Sequence, residues 1–142
     1  MEFTPPVNFD RNATSTRNIY FLRCGEFLKI GIAGDIEQRI RGFKIGNPHS
    51  IKLEAYRTVP RALCVQIEKA VHAALAHRHH EGEWFRVGKA EALAIADPLI
   101  KKATATVRRW NAAADDALER EYTVQVAQEI GKFMDQQTDQ NR

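Results

Sequence analysis

The chain has 142 residues, room for one domain plus an extension, and a chain of this size buries about two-thirds of its surface on folding. No apolar run approaches the ~18 residues of a membrane span and the N-terminus carries no signal-like apolar stretch, so membrane and secreted classes are set aside. Cys24 and Cys64 are too few for a disulfide framework, which leads us to expect a reducing, cytoplasmic setting.

The net charge of +3 is unevenly spread. Residues 17–61 carry nine basic and four acidic groups, whereas residues 111–142 carry three basic and seven acidic groups. A basic module suits a phosphate backbone as partner, though a solvated charged surface reads the same way from charge alone.

In chain order, residues 1–16 hold Pro5-Pro6 and polar residues without periodicity, and are expected to form a flexible or loosely docked arm. Asn18 to Ile32 then reads as two strands joined at Gly25-Glu26, a pair suited to a two-residue II′ turn because glycine takes positive φ without steric cost. That turn fixes the register: Cys24 faces Phe27, Leu22 faces Lys29, and Tyr20 faces Gly31. One face of the hairpin is then Ile19, Phe21, Ile30 and Ile32. The other carries Tyr20, Leu22, Lys29 and Gly31, and is expected to be an open, polar spot that holds the chemistry.

Asp35 is a good helix N-cap with Gln38 three residues later, and Ile36, Ile40 and Phe43 form an apolar stripe up to Gly46. Arg39 borders that stripe. Ile51 to Tyr56 alternates as a half-buried third strand. Pro60 opens a helix running to about His77, with Leu63, Ile67, Val71, Ala74 and Leu75 buried. Cys64, Glu68 and His72 make a row beside that stripe. A half-sheltered Glu68 needs a cation or donors, and an Arg or Lys partner is the plainer reading. His72 would either orient a phosphate or a water, or serve as a hydrogen-bonded histidine at the core edge. The histidines that follow fit no standard zinc spacing. Glu81 to Val87 reads as a turn into a short strand with Trp84 and Phe85 as core anchors, and Glu83 as a weaker candidate carboxylate. From Lys89 onward the chain is helical, with a break or restart expected at Pro98. Ile100, Ala103, Val107, Trp110, Ala114 and Ala117 then form a heptad-like seam.

The run N-I-Y, then K-I-G about ten residues later, then D-x-x-x-R, with IEKAVHAAL and GEWF further on, resembles the GIY-YIG nuclease superfamily, in the bacterial and phage branch with K-I-G as second motif. The likeness spans roughly residues 17–87. Asn18 stands where that superfamily usually has Gly, and Lys29 where it often has a second Tyr. The resemblance implies that Tyr20 positions or activates a water and turns the reading of Glu68 toward metal ligation. Arg39 is expected to fork the phosphate oxygens, with His72 nearby, and Lys29 to lower the phenol pKa of Tyr20. Mg²⁺ or Mn²⁺ is the expected cofactor, because hard ions favour carboxylate oxygen.

The expected architecture is α+β: a three-stranded antiparallel sheet flanked by helices, divided as an arm (1–16), a nuclease-like domain (17–97) and a helical extension (98–142). The expected function is metal-dependent endonuclease action on DNA, with Arg41, Lys44 and Lys52 as further DNA contacts. The alternative is a catalytically inactive nucleic-acid-binding module of the same fold. A helical interaction protein working through residues 99–133 is a third class. The C-terminal seam makes a homodimer a candidate assembly.

Overall fold

The computed structural model describes residues 2–7, 9 and 15–140. Strand β1 (Thr16–Cys24) and strand β2 (Phe27–Ala33) form the expected hairpin, with Cys24 opposite Phe27, Leu22 opposite Lys29 and Tyr20 opposite Gly31. Gly25 has φ +59° and Glu26 does not have positive φ, the combination a II′ turn requires. Helix α1 (Ile36–Lys44) follows, and its N-cap Asp35 accepts the backbone N–H of Gln38 at 3.1 Å. Strand β3 (Lys52–Pro60) pairs antiparallel with β1. A register shift opposite Phe21 and Leu22 bulges Glu54 out of the ladder, and its carboxylate meets Arg23 Nε at 2.8 Å. A 3-10 turn (Arg61–Leu63) leads into helix α2 (Cys64–Ala74), and a second 3-10 turn (Ala76–Arg78) leaves it.

Two short strands complete the sheet: β5 (Trp84–Phe85), inside the short strand expected over Glu81 to Val87, and β4 (His79–Glu81), where the end of a helix and a turn were expected; they are joined at Gly82 with φ +54°. The α+β class stands, and the sheet has five strands in the order β3-β1-β2-β5-β4, not three. The three expected strands are neighbours at one side of it, with β3 at the edge. Runs of three and two residues are too short for alternation to reveal.

Both faces of the sheet are covered. On one, Ile19, Phe21, Leu28 and Ile30 pack with Leu63, Ile67, Val71 and Leu75 around α2. On the other, Tyr20 and Leu22 pack with Ile36, Ile40 and Phe43 of α1. This corrects the expectation of an open Tyr20 face: Tyr20 is 2% exposed and Leu22 fully buried, because α1 lays its apolar stripe over them.

Helix α3 (Lys89–Gln140) runs unbroken through Pro98, against the expected break, and so crosses the 97/98 boundary. An interior proline costs about 3 kcal/mol. Ala92 and Ala96 before it and Ile100, Ala103 and Val107 after it all pack on the same core, so a break would undock one side. Burial ends near Trp110, and Leu118, Tyr122, Ile130, Phe133 and Met134 are exposed. The N-terminal arm is docked at Phe3, which is buried in the core, and Thr4 exchanges hydrogen bonds with the side chain of Gln66. Residues 8 and 10–14 of that arm lie outside the described residues. No described helix is long and apolar enough to cross a membrane.

Candidate functional site

Gly31 marks the centre. A Cβ built there would lie 2.5 Å from Tyr20 Oη, 2.7 Å from Tyr20 Cζ and 3.1 Å from Glu83 Oε2. Glycine is needed here for space, since its φ is not positive. The phenol lies over the glycine of the facing strand, and the Glu83 carboxylate reaches the same spot.

Register explains how Glu83 arrives. On its β2 side β5 pairs with Leu28 and Lys29 alone, and the N–H of Ile30 donates to Glu83 O at 3.0 Å. Beyond that point the β2 edge is left to α2. There His72 Nε2 donates to Ile30 O at 2.8 Å, which requires the proton on Nε2. The bond ties α2 to the sheet and gives His72 a positioning role. Glu68 lies one turn before it, on the same row of α2.

The charges around Gly31 are coupled. Lys29 Nζ pairs with Glu83 Oε2 at 3.2 Å and sits 5.0 Å from the Phe43 ring centroid and 5.3 Å from that of Trp84. Burial is the largest effect on Tyr20 and pushes its phenol pKa up to about 12; Glu83 and Glu68 push the same way, and Arg39 pulls it down. The expected lowering by Lys29 does not occur. The ammonium is spent on Glu83, and Arg39 is the cation that acts on the phenol. At neutral pH Tyr20 is therefore an O–H group, not a phenolate.

Glu68 is raised above the usual carboxylate range, first by burial and then by the like charge of Glu83, against the opposing pull of His72, Lys29 and Lys69. It has no hydrogen bond or ion pair among the described residues, so the plainer expectation of an Arg or Lys partner is not met. A sheltered carboxylate facing a second carboxylate fits a hard cation that keeps several of its waters. Among the described residues no group of three or more His, Cys, Asp or Glu is placed to hold a metal ion. His77 is engaged by Glu91, His79 by Gly82 O, and His80 stacks on Phe27.

A groove of about 640 Å³ opens beside this centre, between the end of β2 and α1, lined in part by Arg17, Gly34, Asp35, Arg39 and Phe43. Asn18, the departure from glycine in the first motif, has a structural task here. Its Nδ2 donates to Gly34 O at 3.4 Å while its Oδ1 accepts from Thr58 Oγ1 at 3.1 Å, holding the groove floor to β3.

The structure thus brings Tyr20, Lys29, Arg39, Glu68 and His72 to one region. It does not bring all the expected DNA contacts there. Arg41 and Lys44 lie exposed in the last turn of α1, and Lys52 pairs opposite Arg23 at the hairpin end of the sheet, away from Gly34. Glu83 was underweighted in the sequence, although its signal was present in the G-E-W-F motif. Arg17 was missed, because nothing in a strand-edge arginine announces a groove.

No curated protein and no solved structure matches the chain at a significant level. The family model described as the T5orf172 domain matches residues 17–111, ending where α3 leaves the core. With about two-thirds of its length matched, the chain belongs to the T5orf172 domain family, a domain found in phage and bacterial nuclease-like proteins.

Proposed function

We propose that this protein is a metal-dependent endonuclease of the GIY-YIG type that hydrolyses phosphodiester bonds in DNA. The observation that carries the reading is the meeting of the Tyr20 phenol and the Glu83 carboxylate over Gly31, beside a groove walled by Arg39, with the half-sheltered Glu68 on the adjoining helix. Hydrolysis of a phosphodiester needs a placed water, a fork for the phosphate oxygens and neutralisation of developing charge.

Each task has a residue. Arg39, on the groove wall, takes the non-bridging phosphate oxygens in its guanidinium fork. Tyr20, a neutral phenol at working pH, positions the attacking water by hydrogen bonding and does not deprotonate it. Glu68 would hold Mg²⁺ or Mn²⁺, which supplies neutralisation of charge at the phosphate. Lys29 and His72 act at one remove: Lys29 pins Glu83 beside Gly31, and His72 fixes α2 so that Glu68 faces the site.

Purified protein incubated with plasmid and with single-stranded DNA, with Mg²⁺, with Mn²⁺ and with chelator, tests this. Nicking that depends on metal and is lost in Glu68→Ala is the expected result. Salt-sensitive DNA binding with no cleavage under any metal would leave the inactive nucleic-acid-binding module as the function. The first half of the expected dimer seam, Ile100, Ala103 and Val107, is covered by the chain's own core, so we propose pairing with a second copy only through the later part of α3, where Leu118, Tyr122, Ile130, Phe133 and Met134 are exposed, giving two sites for two strands. A monomer mass by light scattering at micromolar concentration rejects that assembly.

A further inference from the structure

We propose that Arg17 is a second phosphate-binding residue, which grips the phosphate next to the one held at Arg39 and Tyr20. The inference rests on the DNA reading above and assigns a partner contact to a residue outside the matched motifs.

Three observations carry it. First, Arg17 Nε is shielded from water and has no hydrogen-bond partner among the described residues. A buried donor without a partner is costly to the free protein, so a guanidinium in this state is primed for an anion. Second, Arg17 lines the same groove as Arg39, and neither side chain has a hydrogen bond or ion pair among the described residues. Among the described residues of the groove wall the one acid, Asp35, has a carboxylate oxygen engaged by the Gln38 N–H at 3.1 Å. The groove therefore presents two guanidinium forks against one capped carboxylate. Third, the two ends of the groove are set apart by the strands. Arg17 stands three residues before Tyr20 on β1, and Gly34, 3.9 Å from Arg17 Nη2 at its would-be Cβ, stands three residues after Gly31, just past the end of β2. Three residues of strand span about 10 Å. One phosphate at Tyr20 does not also fill the Arg17 end, whereas a polynucleotide backbone running along the groove reaches both.

The ligand class is a phosphodiester chain of two or more phosphates, and Arg17 contributes to affinity without touching the reacting atoms. The test is fluorescence anisotropy with a labelled duplex oligonucleotide, in chelator to prevent cleavage, over a series of monovalent salt concentrations. Arg17→Gln keeps most of the stem and removes the charge. Its expected effect is a loss of roughly three- to tenfold in affinity and a salt slope smaller by about one, the signature of one lost phosphate contact. Arg17→Lys retains the charge, and is expected to keep the wild-type slope with weaker binding for want of the fork. Wild-type affinity and slope in Arg17→Gln overturn the proposal while leaving DNA binding standing. If Arg17→Gln melts early, Arg17→Lys decides: a slope reduced by one there shows that charge at this position is not what DNA reads. A wild-type protein that binds no DNA at low salt removes the DNA reading itself, and this one with it.

Discussion

The most direct probe of the site is one added methyl group. In Gly31→Ala the new Cβ would lie 2.5 Å from Tyr20 Oη and 2.7 Å from Cζ, where ordinary contact begins near 3.4 Å. The phenol must therefore retreat by about 0.9 Å, or β2 must move. Neither is easy. The ring is 2% exposed and closed in on the α1 side by Phe43, with ring centroids 6.4 Å apart, and β2 is paired with β1 and β5. Overpacking of a filled site costs roughly 1–3 kcal/mol. For a chain of this length that corresponds to a melting temperature lower by about 3–10 °C. A displacement of about 1 Å in a positioning group costs on the order of 10²-fold in rate. Thermal melting by circular dichroism and plasmid nicking of the same preparation measure both effects. Tyr20→Ala in the same chain should relieve the clash, so the stability losses of the two changes should not add. A Gly31→Ala protein that melts and cuts like the wild type would refute the placement of the phenol over Gly31.

Three further outcomes are expected. Because the folded state raises the Glu68 pKa, the ionised carboxylate destabilises the fold at neutral pH; Glu68→Gln should melt higher than wild type in metal-free buffer while losing cleavage, and a lower melting temperature would contradict the unpaired carboxylate. The Tyr20 phenol is likewise raised, from an ordinary 10.0 to about 12, so stability is intact below pH 10 and falls as pH climbs toward 12; denaturation series at pH 9 and pH 11 should show a smaller alkaline loss in Tyr20→Phe than in wild type. Lys29→Met strands Glu83 beside Glu68 and should destabilise the fold by about 1–2 kcal/mol, partly restored in Lys29→Met/Glu83→Gln; additive losses in that cycle would deny the ion pair.

The hairpin was legible because two local rules agree there. Glycine and a polar residue set the turn, and period-two alternation then fixes every cross-strand partner, including Tyr20 against Gly31. The Asp35 cap and the Ile36–Ile40–Phe43 stripe were legible for the same reason. What failed was non-local. That α1 folds back over Tyr20 depends on the path of the chain after Asp35, which no local spacing specifies. The expected role of Lys29 failed because its partner, Glu83, comes from a strand more than fifty residues away. Pro98 misled because intrinsic propensity is a weak prior against packing on both of its sides.

The site also explains why the fold leaves opposite charges unpaired so close together. Arg17 and Arg39 line the groove and Glu68 lies half-sheltered on α2, and none of the three side chains has a hydrogen bond or ion pair among the described residues. Each is held by a specific device: Asn18 fixes the Gly34 floor of the groove, His72 fixes the helix that carries the glutamate, and Lys29 engages the Glu83 carboxylate. Direct Arg39–Glu68 pairing would stabilise the free protein and silence both groups. A phosphodiester with a bound divalent cation satisfies the two sides at once, anion to the guanidiniums and cation to the carboxylate. Under the proposed function, the arginines would take the phosphodiester and Glu68 its divalent cation, with the Tyr20 phenol over Gly31 left to position the water.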